Sequence, residues 1–316
     1  MSRRRRGQHS PGPVHGIALL HKPSGPTSFT VMRQAERSLG AHKSGHGGTL
    51  DPMASGLLLV LLGEGTKLTP WVQGRDKRYR AEVTFGRATD TLDAEGAMTE
   101  EADVPDGLLE ARLADVLPTF VGDRPQRPPK YSALKVGGRS HMSRARAGEE
   151  FEVLERPAHC YSITLHSLEA TSATLELHVA SGYYVRSLAR DLGEALGVPA
   201  HLSALVRTSV GPWSLTDAVA LEELTVEAVT PLERSLPDMP VITLNAADAL
   251  LVHQGKRLPA QGDAACTMVL NPDGSPLAMV DRNPEGEWRV RRGFALTSQT
   301  VEKQTDSLID KEALGR

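Results

Sequence analysis

Asp51 is the acidic residue whose setting in the sequence points most directly to chemistry. It lies between a glycine-rich turn at residues 45–48 and an apolar run at residues 57–62. A carboxylate between such segments is costly to bury unless it is paired or used. Pro52 follows directly, however, and an Asp-Pro pair is also typical of a helix N-cap with proline at the first helical position. On spacing alone both interpretations remain open.

An arginine and two tyrosines are further candidates. Arg186 lies near the start of a predicted helix, where it can form a solvent-exposed ion-pair series with Arg190 and Glu194. Tyr79 falls on the apolar face of a predicted strand, and Tyr184 stands two residues before Arg186. By default both tyrosines belong to a core in which their hydroxyls find a partner. None of these residues identifies a function when it is considered singly.

Missing motifs exclude several common classes of site. The glycine-rich segments at 45–48 and 63–67 lack the GxxxxGK[ST] pattern of nucleotide triphosphatases, and no GxSxG elbow is present. His42 and His46 are four residues apart, but the nearby glycines disfavour a helix, so the sequence predicts no metal. The two cysteines form no CxxC pair, which excludes a disulfide scaffold and favours a reducing compartment.

Six segments form a longer pattern along the chain. They are GHGGTLDPMASG at 45–56, GEGTK at 63–67, DKRYR at 76–80, TDTLD at 89–93, PPKYSALK at 128–135 and SGYYVRS at 181–187. In this order they resemble the motifs of TruB-type tRNA pseudouridine synthases. The resemblance covers about residues 14–212.

The resemblance implies an isomerase that needs neither metal nor organic cofactor. Its substrate would be the T arm of tRNA, where a T-loop uridine becomes the Ψ of TΨC. The resemblance assigns Asp51 as the catalytic carboxylate and Arg186 as its ion-pair partner. It also implies that Tyr79 stacks on the target base, that Leu205 packs against the base and that Tyr184 lines the pocket.

Further residues acquire roles from the same resemblance. His46 is expected to contact the RNA where the flipped nucleotide has left its stack, and Lys22 and Pro23 are expected to support the catalytic loop. Gly47 stands where members usually have threonine. This departure, like Met53 and Ser55 in place of the common leucine and threonine, removes no reacting group.

The charge distribution qualifies the net charge of −3, which by itself argues against a nucleic-acid partner. Residues 124–146 contain seven Lys or Arg and no acid, whereas residues 214–250 contain seven acids and one base. Such segregation is typical of a surface that steers a polyanion, although charge runs also simply solvate exposed faces. With tRNA as the implied partner, we expect phosphate contacts from Lys130, Lys135 and Arg139.

The apolar spacing predicts the elements that must position these residues. Alternation predicts a half-buried strand over 77–85, and the continuous apolar run predicts a buried strand over 57–62. A helix is predicted to open near Ser181 and to end at Gly197. Successive hairpins with helices between them predict an α+β fold. Together with the resemblance, they indicate a pseudouridine-synthase-like domain with a mixed, mostly antiparallel sheet flanked by helices, followed by a small PUA-like β domain.

Composition divides the chain into four predicted parts. They are a disordered basic N-terminus at 1–13, a catalytic domain at 14–235, a PUA-like RNA-binding domain at 236–297 and a polar tail at 298–316. The longest apolar run has six residues, far fewer than the roughly 20 that cross a bilayer. We therefore expect no membrane span and a cytoplasmic protein. Because one chain carries both catalytic and binding parts, we expect a monomer.

Two alternatives to a stand-alone enzyme remain. The same scaffold suits a non-catalytic RNA-binding or tRNA-folding protein, and it suits a subunit that works on a guide RNA. Loss of the carboxylate would mark the first alternative, and Asp51 is present.

Overall fold

Strands outnumber helices in the computed structural model, which describes residues 14–132 and 134–296. The predicted N-terminal and C-terminal tails, 1–13 and 298–316, lie outside the described residues. The strands are β1 (Gly16–Lys22), β2 (Ser44–His46), β3 (Ser55–Leu62), β4 (Lys77–Phe85), β5 (Arg87–Thr89), β6 (Met98–Glu101), β7 (Gly122–Gln126), β8 (Lys135–Val136), β9 (Arg139–Ser140), β10 (Arg156–Leu168), β11 (Ser172–Val179), β12 (Ala200–Val210), β13 (Trp213–Ser214), β14 (Val229–Thr230), β15 (Val241–Thr243), β16 (Leu258–Pro259), β17 (Cys266–Leu270), β18 (Pro276–Arg282) and β19 (Glu287–Gly293). The α-helices are α1 (Ser28–Ser38), α2 (Thr69–Gln73), α3 (Leu108–Val116), α4 (His141–Arg146), α5 (Val185–Leu196) and α6 (Ala246–His253).

The large sheet has the strand order β14-β1-β3-β12-β4-β11-β10-β7, with β2 paired to β3 and β13 to β12. Its pairs are antiparallel except for the one between β3 and β12. Helices α3 and α5 share a hydrophobic core with β4, β11 and β12. The predicted α+β class, with a mixed and mostly antiparallel sheet flanked by helices, is confirmed.

Strand β3 is buried on both faces. Leu57 and Leu59 belong to one core cluster, whereas Leu58 and Val60 belong to another that includes the apolar face of α1. A strand that is covered on both sides can be apolar at every position. This explains the continuous apolar run, and the predicted buried strand is confirmed.

Strand β4 alternates as predicted. Ala81, Val83 and Phe85 are buried in the core under α5, while Arg78 and Arg80 are exposed on the other face. Tyr79 shares the apolar face but is only half-buried.

A second sheet of the described residues has the order β15-β17-β18-β19-β16 and is accompanied by α6. Met268 and Met279 of this sheet lie in the same core cluster as Leu57 and Leu59 of β3. The predicted C-terminal β structure is confirmed. Its boundary at residue 235 and its RNA-binding role remain predictions.

The loop that carries Asp51 is a clamped turn. Residues 52–54 form no helix and β3 begins at Ser55, so the interpretation of Asp51 as a helix N-cap is wrong. The Nζ of Lys22 is fully buried and donates to the carbonyls of Pro52 and Ala54, at 3.2 and 2.6 Å. This ammonium ties both sides of the turn to the end of β1.

A second clamp holds the residue before Asp51. The Oγ of Ser28, the first residue of α1, donates to the Leu50 carbonyl and accepts from the Leu50 amide, both at 2.8 Å. Ser28 is 1% exposed, so water is not available to replace it. One hydroxyl therefore satisfies both backbone groups of Leu50.

We predict that Ser28→Ala lowers the free energy of unfolding by about 1–3 kcal/mol, because it leaves a buried amide and carbonyl unpaired. Urea denaturation measures this change, and amide exchange at Leu50 reports it locally. Ser38→Ala, at the exposed end of the same helix, is the matched control and should cost much less. Equal losses in the two variants would contradict the role given to the Ser28 clamp.

Candidate functional site

A cavity of about 320 Å³ opens where the Asp51 loop, β4, β12 and the start of α5 meet. This volume lies at the small end of the range for ligand sites. Five residues predicted from the sequence line it: Asp51, Tyr79, Tyr184, Arg186 and Leu205. The fold thus brings together residues that lie up to 154 positions apart in the chain.

Arg186 pairs with Asp51 through two contacts. Its Nε lies 3.0 Å from Asp51 Oδ2, and its Nη2 lies 3.2 Å from Asp51 Oδ1. The alternative ion-pair series along α5 is wrong for Arg186 but holds for Arg190, which contacts Glu194 at 3.6 Å and Asp191 at 2.5 Å.

The remaining donors of Arg186 fix its orientation. Nη1 lies 3.3 Å from Asp93 Oδ2 and donates to the Thr91 carbonyl at 2.9 Å, and Nη2 donates to the Tyr131 carbonyl at 2.9 Å. Asp93 is 4% exposed, so it gives the buried guanidinium a second carboxylate. Asp93 closes the motif at 89–93, but the sequence alone predicted no role for it.

Burial dominates the protonation of Asp51. Desolvation raises its pKa above the usual aspartate value, and the charge of Asp93 adds to this. The Arg186 guanidinium acts in the opposite direction but does not overcome the burial. The carboxylate therefore holds its proton more readily than an exposed aspartate does.

The aromatic and apolar residues enter the cavity from three elements. Tyr79 comes from β4, Leu205 from β12 and Tyr184 from the N-cap of α5. The helix begins four residues after Ser181, because Gly182 has φ +88° and residues 180–183 form a turn. The buried Gln126, which the sequence did not indicate, binds both the amide and the carbonyl of Tyr184, at 2.8 and 3.0 Å.

His46 and Gly47 lie beside the cavity rather than in its lining. The His46 carbonyl accepts from the Gln73 side chain at 3.2 Å. Burial and the charge of Arg207 lower the pKa of His46. A Cβ at Gly47 would lie 2.5 Å from Cγ1 of Val72, which explains why threonine does not fit here without movement of Val72.

The predicted phosphate contacts differ in their surroundings. Lys130 is exposed, and the side chain of Lys135 lies outside the described structure. Arg139 pairs with Glu149 at 2.5 Å, and Arg144 pairs with the same carboxylate at 3.1 Å. The acid-free stretch is therefore partly neutralised by an acid that follows it in sequence and folds back onto it.

Two buried cations that the sequence did not single out also line the cavity. Arg207 is 1% exposed, and Lys77 is 7% exposed. Burial and the nearby Arg207 lower the pKa of Lys77 to about 8. Lys77 lies inside the DKRYR segment and Arg207 stands two positions after Leu205, but nothing in the sequence indicated that they face the cavity.

Within 14–132 and 134–296, no group of three or more His, Cys, Asp or Glu side chains is arranged to hold a metal ion. Over the same residues, no helix is long and apolar enough to cross a membrane.

Comparison with known proteins places these residues in context. Residues 36–185 match the family model described as "TruB family pseudouridylate synthase (N terminal domain)", and residues 186–239 match "tRNA pseudouridylate synthase B C-terminal domain". A protein named tRNA pseudouridine synthase B from Xanthomonas campestris pv. campestris (strain 8004) is 42% identical over 295 residues, covering 89% of this chain and 94% of that protein. Its namesake from Roseobacter denitrificans (strain ATCC 33942 / OCh 114) is 41% identical over 266 residues, covering 81% and 85%.

Among solved structures, a chain of a Cbf5-Nop10-Gar1 complex is similar, with a TM-score of 0.67 and 25% identity, covering 89% of this chain and 85% of that chain. Two family models together match residues 36–239, and named relatives align over more than four-fifths of the chain. On this basis the protein belongs to the TruB family of pseudouridine synthases.

Proposed function

We propose that this protein isomerises the T-loop uridine of tRNA to the pseudouridine of TΨC, with Asp51 as the nucleophile. The observation that carries the proposal is the Asp51–Arg186 ion pair, which holds a carboxylate at the lining of a cavity in this fold. The Asp51 side chain is 28% exposed, so the carboxylate that pairs with Arg186 is still open to a ligand in the cavity, as a nucleophile must be.

The reaction is an exchange of bonds within one nucleotide. The bond from N1 of uracil to C1′ of the ribose breaks, the base turns, and a bond from C5 to C1′ forms. The proton on C5 leaves and N1 gains one, so no atom is added overall. An ionised carboxylate promotes this exchange by forming a transient covalent bond to the nucleotide. Attack at C1′ and attack at C6 of the base both lead to the same net exchange of bonds.

Arg186 and the aromatic residues prepare this attack. The guanidinium favours the ionised form of Asp51 against the effect of burial. Extracting a uridine from folded RNA costs a few kcal/mol, and stacking on an aromatic face returns about 1–3 kcal/mol. Tyr79 supplies this face in the proposal, and Leu205 packs against the base.

We also infer a cytoplasmic monomer. Cys160 and Cys266 are both free thiols, which suits a reducing compartment. The cavity is formed by residues of a single chain, so the proposed chemistry requires no second subunit.

Asp51→Asn should reduce pseudouridine formation on an unmodified T-arm transcript by about 10³-fold or more, because the amide cannot act as the nucleophile. RNA binding should stay within about twofold, since the amide has nearly the same shape as the carboxylate. Asp90→Asn is the matched control, because Asp90 is exposed and its Oδ1 accepts from the Ala97 amide. Turnover retained in Asp51→Asn would refute the assignment.

The rate of the single-turnover reaction should fall as the pH drops through a pKa above that of an ordinary aspartate. The reason is that burial raises the pKa of Asp51 while the reaction needs its ionised form. Arg186→Gln removes the neighbouring cation and should move this acid limb to higher pH, whereas Arg186→Lys should move it less. An acid limb that stays in place in Arg186→Gln would contradict the proposed coupling.

Lys130→Ala combined with Arg139→Ala should weaken tRNA binding and lower the slope of log K against log salt by about 1 for each phosphate that the protein no longer neutralises. Because Glu149 already pairs with Arg139, we expect Lys130→Ala alone to account for most of the change. Arg112→Ala, an exposed position on α3, is the control. An unchanged slope in the double variant would show that this stretch does not contact phosphates.

A further inference from the structure

Gln126 is a buried polar residue at the end of β7, the last strand in the order of the large sheet. Its side chain binds the backbone of Tyr184: Oε1 accepts from the Tyr184 amide at 2.8 Å, and Nε2 donates to the Tyr184 carbonyl at 3.0 Å. A backbone amide only donates and a backbone carbonyl only accepts, so the side-chain amide matches both groups in a single orientation. Gln126 is 6% exposed, so these bonds are shielded from solvent.

These two bonds take the place of a local helix cap. Tyr184 is the N-cap of α5, and its side chain makes no capping hydrogen bond. In a capping box, a side chain of the first helical turn binds the amide of the N-cap residue. In this protein that partner is Gln126, which precedes Tyr184 by 58 positions. Because the Tyr184 carbonyl also accepts from the Leu188 amide, at 3.2 Å, Gln126 holds the residue at which the helix begins.

The residue after Gln126 holds the other end of the same turn. Ser187 is 0% exposed, and its Oγ donates to the Arg127 carbonyl at 2.7 Å. Arg186 lies between Tyr184 and Ser187, so its backbone is fixed on both sides by residues 126–127. Its Nη2 also donates to the Tyr131 carbonyl at 2.9 Å, further along the same segment. The turn that carries Arg186 is therefore held from outside the helix.

The ion pair with Asp51 requires such a fixed turn. Nε and Nη2 of Arg186 contact the two carboxylate oxygens of Asp51 at 3.0 and 3.2 Å, and a planar guanidinium meets both oxygens only in a defined orientation. Successive residues of an α-helix are rotated by about 100° around its axis. A change of the helix start by one residue would therefore turn Arg186 away from Asp51.

We propose that Gln126 is a positioning residue for the isomerisation. By capping α5 from β7, it orients Arg186 toward Asp51 and holds Tyr184 at the lining of the cavity. Gln126 does not itself line the cavity, so it acts through α5 rather than on the substrate. The inference rests on the proposed function, in which the carboxylate of the Asp51–Arg186 pair is the nucleophile.

The absence of charge on Gln126 allows the pKa of Asp51 to report the position of Arg186. The charges that act on Asp51 are those of Arg186 on α5, Asp93 in the loop after β5 and Lys22 on β1. Gln126→Met alters none of these charges and keeps a side chain of similar length. If the first turn of α5 loosens, the guanidinium moves away from the carboxylate, and the pKa of Asp51 rises further.

Single-turnover pseudouridine formation at saturating T-arm RNA, measured against pH, tests this role. Gln126→Met should slow the reaction by about tenfold above the acid limb, because the catalytic pair is misplaced. It should also move the acid limb to higher pH, as Arg186→Gln does, and it should move the limb no further in the Arg186→Gln background. An acid limb that stays in place in Gln126→Met, or that moves equally in both backgrounds, would overturn the proposal.

Ser187→Ala is the second variant and replaces Gln126→Met if the latter fails to fold. It removes the bond to the Arg127 carbonyl but leaves the Gln126 cap intact. The acid limb should move in the same direction, by a smaller amount. No movement in this variant would contradict the claim that residues 126–127 hold the turn of Arg186.

Ser235→Ala separates positioning from a general loss of stability. Ser235 is 0% exposed, and its Oγ contacts the carbonyls of Thr230 and Pro231 at 3.1 and 2.9 Å. Thr230 belongs to β14, at the opposite end of the large sheet from β7. Gln126→Met and Ser235→Ala should both lower the urea midpoint of unfolding, but Ser235→Ala should leave the acid limb in place. Equal movement of the limb in both variants would contradict the positioning role.

A measurement without RNA distinguishes failure of this inference from failure of the proposed function. In protein labelled with ¹³C-aspartate, the carboxyl signal that disappears in Asp51→Asn identifies Asp51. The pH midpoint of that signal should rise in Gln126→Met and stay unchanged in Ser235→Ala. An unchanged midpoint in Gln126→Met refutes the positioning role even if the wild-type protein forms pseudouridine, whereas a raised midpoint with an inactive wild type refutes the proposed function alone.

Discussion

The clamp on the loop at residues 50–54 is the constraint on which the site depends. Asp51 can meet Arg186 only because its turn is fixed at both ends, by the Ser28 hydroxyl at Leu50 and by the Lys22 ammonium at Pro52 and Ala54. These groups are buried, and water cannot replace them at low cost. The backbone of the turn is therefore fixed before any ligand binds. It holds the Asp51 carboxylate beside Arg186, whereas an exposed loop would let the carboxylate move away.

Local patterns in the sequence were enough to predict β3 and β4, the strands on either side of β12 in the large sheet. The alternation over 77–85 and the apolar run over 57–62 each report directly which faces of a strand are covered. The turn after Asp51 was not decided by spacing, because Asp-Pro suits a helix N-cap as well as a turn. The turn is determined by Lys22 of β1 and Ser28 of α1, which lie more than 20 residues before Asp51 in the sequence but bind its loop in the fold.

The remaining parts of the site depend on pairing over long sequence distances. Three pairings in the site have no periodic signal in the sequence: Asp93 with Arg186, Gln126 with Tyr184, and Arg207 opposite Tyr79 in the sheet. The pairing of Arg139 with Glu149 was also not predicted, because Glu149 lies just beyond the acid-free stretch at 124–146. A linear count describes composition, whereas RNA meets a folded surface.

One of the two buried faces of β3 is covered by the C-terminal sheet, so the two sheets are not independent. Leu57 and Leu59 share a core with Met268 and Met279, so the strand that follows the Asp51 loop is covered by residues more than 200 positions later. Removing the C-terminal sheet would expose apolar surface directly behind that loop. The two sheets should therefore unfold as one cooperative unit. A chain that ended before residue 266 would contain every proposed catalytic side chain, but one face of β3 would lack the residues that cover it.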